Sequence, residues 1–394
     1  MNAFPLASPP EPHEAGVSRQ RAWVEVDADA IRRNAAALTA TLAPGSSLMA
    51  VVKADGYGHG AAPVAQAALA GGASCFGVAT LAEGVQLRRA GITAPVLVLG
   101  NLIHAEELRS CLRWQLMPTL SGMREALLCQ NLAATGGRTM PVHLKLDTGM
   151  ARLGVDWQEG PRLVAAIADL GHLELAGIYS HLACADAPPA EDDGLTGTQQ
   201  HRFDTVLESL RQQDLNPGCR HLANSAATLR GRAFHYDMVR VGLALYGHSP
   251  AGHLDGATTL RPAMQLRARV SLIREVGSGV GVSYGHRFRT NRPSRLAVVG
   301  IGYADGVPRQ LSGSITVLHG GRSIPQVGAI TMDQLVLDAT EAPDLDVGSV
   351  VTLLGHDGDL QITPRDWSDR CQTIPWEILC GFKHRLPRLP LGAH

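Results

Sequence analysis

The sequence is most informative first in what it lacks. There is no excess of either charge sign: Lys and Arg number 35, Asp and Glu 36, and the formal net charge is −1. That argues against a nucleic-acid surface or an acidic tail, and points to a small molecule or another copy of the chain as partner. There is no CxxC pair among the seven cysteines, Cys75, Cys111, Cys129, Cys184, Cys219, Cys371 and Cys380. An odd, scattered set favours neither a disulfide framework nor a zinc site, so no metal is expected and a reducing cytoplasm fits. Cys371 and Cys380 read as lying in strand-like or terminal stretches. No apolar run is long enough to span a bilayer. The first twenty residues lack a basic stretch followed by an apolar core, so they read as a mobile tail rather than a signal peptide. Neither a GxGxxG nor a Walker loop occurs, and VKADGYGHG (52–60) supports no dinucleotide or ATP site.

What is present is a long alternation. At 394 residues the chain suits two domains, and 45 % hydrophobic residues suffice for large cores. From about residue 47, short apolar runs alternate with segments of helical period. The runs are SLMAVVK (47–53), CFGVAT (75–80), PVLVLG (95–100), LMPTL (116–120), PVHLKLD (141–147), LELAGIYS (173–180), CRHLANS (219–225) and MVRVGLALYG (238–247). Segments such as GAAPVAQAALAGG and TQQHRFDTVLESLRQQ lie between them. Eight strand–helix units predict a TIM-type (β/α)8 barrel over 21–257. After about residue 258 the helical period fades and short alternating stretches predict a mostly antiparallel β domain over 258–394. The strand-like AWVEVD (22–27) precedes the barrel and is a candidate to pair with that second domain.

Strand C-termini face the functional mouth of such a barrel. The polar residues there are Lys53, then Lys145 and Asp147 with Arg152 beyond, then Tyr179, Ser180 and His181, then His221, Asn224 and Ser225, and finally Arg240. Several cations and histidines on one mouth call for an anionic ligand. Asn224-Ser225-Ala226-Ala227 stands where strand turns to helix, and Gly242-Leu243 follows the last strand. Loops after the seventh and eighth strands are the usual phosphate site of this architecture.

Beyond these residues, the segments VVKADGYGHG (51–60), KLDTGMARLG (145–154), GIYSHLACAD (177–186), HLANSAAT (221–228), VRVGLALYG (239–247), VSYGHRF (282–288), IGYADGVPR (301–309), GAITMDQ (328–334) and PWEILCGFKHRLPR (375–388) resemble, in this order, the alanine racemase family. The resemblance implies pyridoxal 5'-phosphate as cofactor, alanine as substrate, and a cytoplasmic head-to-tail homodimer that supplies D-alanine for peptidoglycan. It implies that Lys53 carries the cofactor and that Tyr284 is the second acid–base group, contributed with Met332 by the partner subunit. Tyr57, Asn224, Ser225, Gly242 and Leu243 would hold the phosphate. Arg152 would reach the ring hydroxyl and the substrate, Arg240 would face the ring nitrogen with His221 bracing it, and His181 would lie against the ring. Tyr303 and Asp333 join Met332 on the substrate side, and Lys145 matches a position often carbamylated. The chain departs from the family at Trp376, where a phosphate-donating Tyr is frequent, at Thr331, and at Ala329. The chemistry suits the residues: inversion needs two acid–base groups on opposite faces of a planar carbon. Arg240 opposite the ring nitrogen keeps that nitrogen neutral, because arginine does not readily give up its proton. A racemase of broader specificity, accepting serine, and a barrel decarboxylase are the alternatives. The decarboxylase would bring an acidic residue where Arg240 stands and a cysteine loop in the β domain.

Overall fold

The computed structural model describes residues 21–188, 190–191 and 194–391. The expectation of a mobile tail over residues 1–20 lies outside the described residues. The chain divides into two compact units, one of residues 27–263 and one that joins the segment ending at Val26 to residues 264 onward.

The first unit is the barrel. Its strands are Ser47–Val51, Cys75–Val78, Val96–Asn101, Met117–Leu120, Met140–Asp147, Leu173–Tyr179, Cys219–His221 and Met238–Val241. The first seven pair in parallel in chain order, and the last strand pairs with the first, Met238 opposite Ser47 and Val241 opposite Ala50. The seventh and eighth strands meet through single bonds: Asp237 N donates to Arg220 O and Arg240 N to Ala223 O, both at 3.0 Å. Parallel strands covered on both faces carry continuous apolar runs, and Cys-Phe-Gly-Val (75–78) is buried at every position.

Helix starts are set by local chemistry. Asp27 caps the Ala28–Thr41 helix, its side chain accepting from Ala30 N at 2.9 Å. Thr80 and Glu83 form a reciprocal capping box at the Leu81–Arg89 helix. The Glu83 carboxylate reaches further, accepting from Ala54 N at 2.8 Å, and so ties this helix to the turn after the first strand.

The second unit is a β structure. Met264–Val276 pairs antiparallel with Ser294–Val299 along its later half and with Val350–Asp357 along its earlier half. Strands Thr316–His319, Arg322–Val327 and Leu335–Asp338 complete the circuit between those two. Ala22–Val26 lies antiparallel to Met264–Ala268 and parallel to Arg388–Pro390. One correction concerns the cysteines. Cys371 ends the helix Pro364–Cys371 and Cys380 lies in the helix Pro375–Gly381, so neither is strand-like. Each helix opens with proline at its first position, which suits a helix start because the missing N–H is unpaired there anyway.

No helix among the described residues is long and apolar enough to cross a membrane.

Candidate active site

The barrel strands deliver their terminal polar side chains to one mouth. Arg240, on the last strand, is its centre. Nη1 donates to His221 Nδ1 at 3.1 Å and to His221 O at 3.0 Å. Nη2 donates to Ser180 O at 2.7 Å, to Leu222 O at 3.1 Å and to His181 Nδ1 at 3.1 Å. Burial pulls the guanidinium down to about 10. All these acceptors are neutral, so the buried cation is bonded but not offset by a carboxylate.

The surroundings are aromatic and basic. Tyr179 stacks on His221 with centroids 4.7 Å apart and lies under the Arg240 guanidinium at 5.0 Å. Its hydroxyl meets Thr119 Oγ1 at 2.8 Å, and burial raises its pKa to about 12. His221 Nε2 lies 2.9 Å from His143 Nδ1. Burial and then the Arg240 charge push His143 down to about 4, and push His221 and His181 well below the usual imidazole range. Lys145 is brought down to about 8 by burial first, then by the charges of Arg240, Arg152 and Lys53. The same charges act on His181, which places Lys53, Lys145, Arg152 and Arg240 in one electrostatic neighbourhood. Asp147 is drawn off to other work. Its Oδ1 accepts from Gly149, Met150 and Ala151 N, and these bonds outweigh burial and lower its pKa.

Lys53 begins a turn with a rare backbone. Ala54, Asp55, Gly56, Tyr57 and Gly58 all have left-handed φ, between 51° and 80°. Such a run costs roughly 1–2 kcal/mol per non-glycine residue. It is held by the Glu83 bond to Ala54 N and by Asp55 Oδ1, which accepts from Ala61 N at 2.8 Å. The turn lays the Tyr57 ring on Tyr246 at 4.8 Å and brings its hydroxyl to Gly242. A methyl group on Gly242 would fall 2.4 Å from that oxygen. Beside it, Ser225 Oγ accepts from Gly242 N at 3.0 Å and Ala244 N at 3.4 Å, which leaves the serine proton to donate elsewhere. Asn224 caps the Ser225–Arg230 helix, its side chain accepting from Ala227 N at 3.0 Å. Leu243 is buried at the start of the following turn, Leu243–Tyr246.

The remaining expected site residues lie on the second unit. Tyr284 is 73 % exposed, at the tip of a turn between Gly281–Val282 and Phe288–Arg289. Ser283 before it has φ 59° and ψ −169°, a region that suits glycine, and its Oγ donates to Ala329 O at 2.7 Å. Tyr303 and Met332 are 39 % and 53 % exposed. Asp333 pairs with Arg385 at 2.8 Å. Trp376 is half-buried in the first turn of Pro375–Gly381.

Two residues of the mouth are absent from the sequence expectation. His143 has a legible signal: in PVHLKLD it shares a strand face with Lys145 and Asp147. Glu83 also has one, in the Thr80-x-x-Glu83 spacing.

Comparison with known proteins agrees over the whole architecture. The model of the alanine racemase N-terminal domain matches residues 26–250, and that of the alanine racemase C-terminal domain matches 263–390. An alanine racemase of Prochlorococcus marinus is 57 % identical over 372 residues, covering 94 % of this chain and 96 % of the relative. One from Nostoc is 51 % identical over the same shares of both chains. The crystal structure of alanine racemase from Streptomyces lavendulae superposes with a TM-score of 0.88 at 39 % identity, covering 95 % of this chain and 98 % of that one. That of alanine racemase from Bartonella henselae with covalently bound pyridoxal phosphate superposes at 0.83 and 32 % identity, over 94 % and 99 %.

Proposed function

The chain belongs to the alanine racemase family, and we propose that Lys53 and Tyr284 are the two acid–base groups with which it inverts the α-carbon of alanine. The protein is a pyridoxal-phosphate-dependent isomerase that interconverts L-alanine and D-alanine.

The residues of the barrel mouth fit the cofactor. Gly242 leaves a cradle that a Cβ would fill, bounded by the Tyr57 hydroxyl. Ser225, Asn224 and the Gly242-Leu243 backbone stand at the loops where this architecture binds phosphate. Four cations share the mouth with neutral histidines, which suits an anionic ligand. In this reading Tyr57, Asn224, Ser225, Gly242, Leu243 and the Trp376 indole hold the phosphate. Arg152 would hold the ring hydroxyl and the substrate carboxylate, Arg240, braced by His221, would hold the ring-nitrogen side, and His181 would pack beside the ring. When bound, the cofactor supplies the electron sink that makes the α-hydrogen acidic.

The protein's part is orientation and proton transfer. Lys53 holds or takes the proton at its Nζ on one face of the α-carbon, and Tyr284 does so at its hydroxyl on the other. Tyr303, Met332 and Asp333 line the substrate side and keep the pocket short. The reading makes the functional unit a cytoplasmic homodimer, each copy lending Tyr284 and Met332 to the other, and the product D-alanine for peptidoglycan. The reading is supported by the exposure of each side chain, 73 % for Tyr284 and 53 % for Met332, since exposed large apolar groups are what an interface covers.

The observation that carries the assignment is the neutral setting of Arg240, whose acceptors are carbonyls and imidazole nitrogens. A cation there keeps a facing ring nitrogen unprotonated. The test is incubation with L-alanine in deuterated water, following optical rotation and deuterium at the α-carbon. Inversion with exchange is expected; release of carbon dioxide, or no turnover of any amino acid, overturns it.

A further inference from the structure

Tyr303 and Met332 stand out from the C-terminal unit although large apolar side chains gain most from burial. Polar bonds hold them there. Tyr303 N donates to Thr331 O and Ala304 N to Met332 O, both at 3.0 Å, so the two loops are laced into one piece. The approach at Gly302 is close: a methyl group there would fall 2.3 Å from Thr331 O.

Beneath this piece lies Asp305, fully buried. Its Oδ2 accepts from Gly302 N at 3.0 Å and closes the Tyr303–Asp305 turn. A buried carboxylate requires cations and hydrogen bonds. Arg21 supplies a fork, Nη1 to Oδ2 at 2.8 Å and Nη2 to Oδ1 at 2.6 Å. Arg385 stands on the other side, its Nε 3.6 Å from Asp305 Oδ1. The far end of the same guanidinium, Nη2, donates to Asp333 Oδ1 at 2.8 Å. Arg385 thus joins the anchor under Tyr303 to the residue beside Met332. A planar fork spans two carboxylates; the single point charge of lysine does not.

We infer that Arg385 is a positioning residue that sets the enzyme's discrimination between alanine and larger amino acids, by locking Tyr303 and Met332 into one wall. This rests on the reading in which those two side chains bound the substrate pocket. The Arg385 side chain is half-exposed, and the Arg21–Asp305 pair remains when it is changed, so the loop keeps its buried anchor. Losing the bridge frees the wall to yield to a bulkier side chain. One methylene in a pocket is worth about tenfold or more in selectivity, which is the scale available to the wall.

The test uses full-length holoenzyme. Arg385→Gln is expected to raise KM for alanine about fivefold with kcat within about twofold, and to raise the serine-to-alanine ratio of kcat/KM about fivefold. Arg385→Lys keeps the charge, loses the span, and shifts the ratio the same way. Asp333→Asn cuts only the outer arm, and the double variant is expected to shift the ratio no further than Arg385→Gln alone. Wild-type KM and serine ratio in Arg385→Gln, or additive shifts in the double variant, overturn the inference. If Arg385→Gln does not fold, the same shift in Arg385→Lys sustains the inference and its absence overturns it. A wild-type chain that fails to racemise alanine would instead sink the functional reading beneath it.

Discussion

Arg240 and His221 meet in a way that admits one protonation pattern. The guanidinium only donates, so His221 Nδ1, 3.1 Å from Nη1, must accept. Its proton then sits on Nε2 and is directed at His143 Nδ1, 2.9 Å away. A one-way chain of donors runs from Arg240 through His221 to His143, and it requires both imidazoles to stay neutral.

That requirement has an acid cost. His143 ordinarily titrates near 6.5 and is pushed down to about 4 in the fold. Between those values the unfolded chain takes up a proton that the folded chain refuses, so stability falls as pH drops from 6.5 toward 4 and levels off below. His143→Asn keeps an acceptor near Nδ1 and removes the titration. Urea midpoints measured across this range are expected to slope less in the variant. Equal slopes would show that His143 is not the neutral acceptor.

Lys145 is brought down to about 8, so at that pH about half of it is neutral amine. A neutral amine adds carbon dioxide and releases a proton, and the resulting carbamate would be an anion among Lys53, Arg152 and Arg240. Carbon NMR with isotope-labelled bicarbonate is expected to show a carbamate signal that grows as pH rises through 8 and is missing in Lys145→Arg. No signal at pH 8 or above refutes the prediction.

Gly242→Ala sets a methyl group 2.4 Å from the Tyr57 hydroxyl and 3.0 Å from the ring carbon that bears it. Tyr57 is packed on Tyr246 and cannot simply swing away. The expected result is a loss of about 1–3 kcal/mol in stability, with weaker binding in a cofactor titration followed by absorbance. Adding Tyr57→Phe removes the nearer contact and should recover part of the melting temperature. Unaltered melting and cofactor affinity in Gly242→Ala would contradict the cradle.

Ser283 holds a backbone conformation suited to glycine and donates from Oγ to Ala329 O. Ser283→Ala keeps the strain and loses the bond; Ser283→Gly loses the bond and relieves the strain. The glycine variant should therefore melt higher than the alanine variant, by about 1 kcal/mol in stability. Both should lose kcat more than KM, because the exposed Tyr284 phenol is less firmly aimed. The reverse order of melting would remove the strain argument.

Much of the barrel was legible because parallel strands buried on both faces leave continuous apolar runs, and the helices between them keep a 3.6 period. Each of the eight runs contains a strand in the structure, though the last two give way to helical turns after His221 and Val241. The polar residues at their ends were legible by position, which is why Lys53, His181, His221 and Arg240 could be named together. The Ala28–Thr41 helix lies before that alternation begins, and its signals are the Asp27 cap and the helical spacing of Ala30, Ile31, Ala35 and Leu38. Arg322–Val327 is harder to read, since a proline interrupts it and the polar Gln326 takes one of its buried positions. In the left-handed turn after Lys53 the glycines 56, 58 and 60 are a local sign, but the left-handed φ of Ala54, Asp55 and Tyr57 is not, and the Glu83 bond that helps hold it comes from a helix distant in sequence. The bridging of Asp305 and Asp333 by Arg385 depends on loops brought together only by the sheet.

The position of Ala22–Val26 between Met264–Ala268 and Arg388–Pro390 has a consequence for synthesis. The ribosome makes this strand before all of residues 27–263 and its second neighbour, Arg388–Pro390, after them. All of residues 27–263 emerge before either edge of the strand has a partner. A strand with two open edges is a template for pairing with other chains. The nascent strand therefore carries a hazard of wrong association through the making of the whole barrel, and that hazard closes only once both of its neighbours have been made.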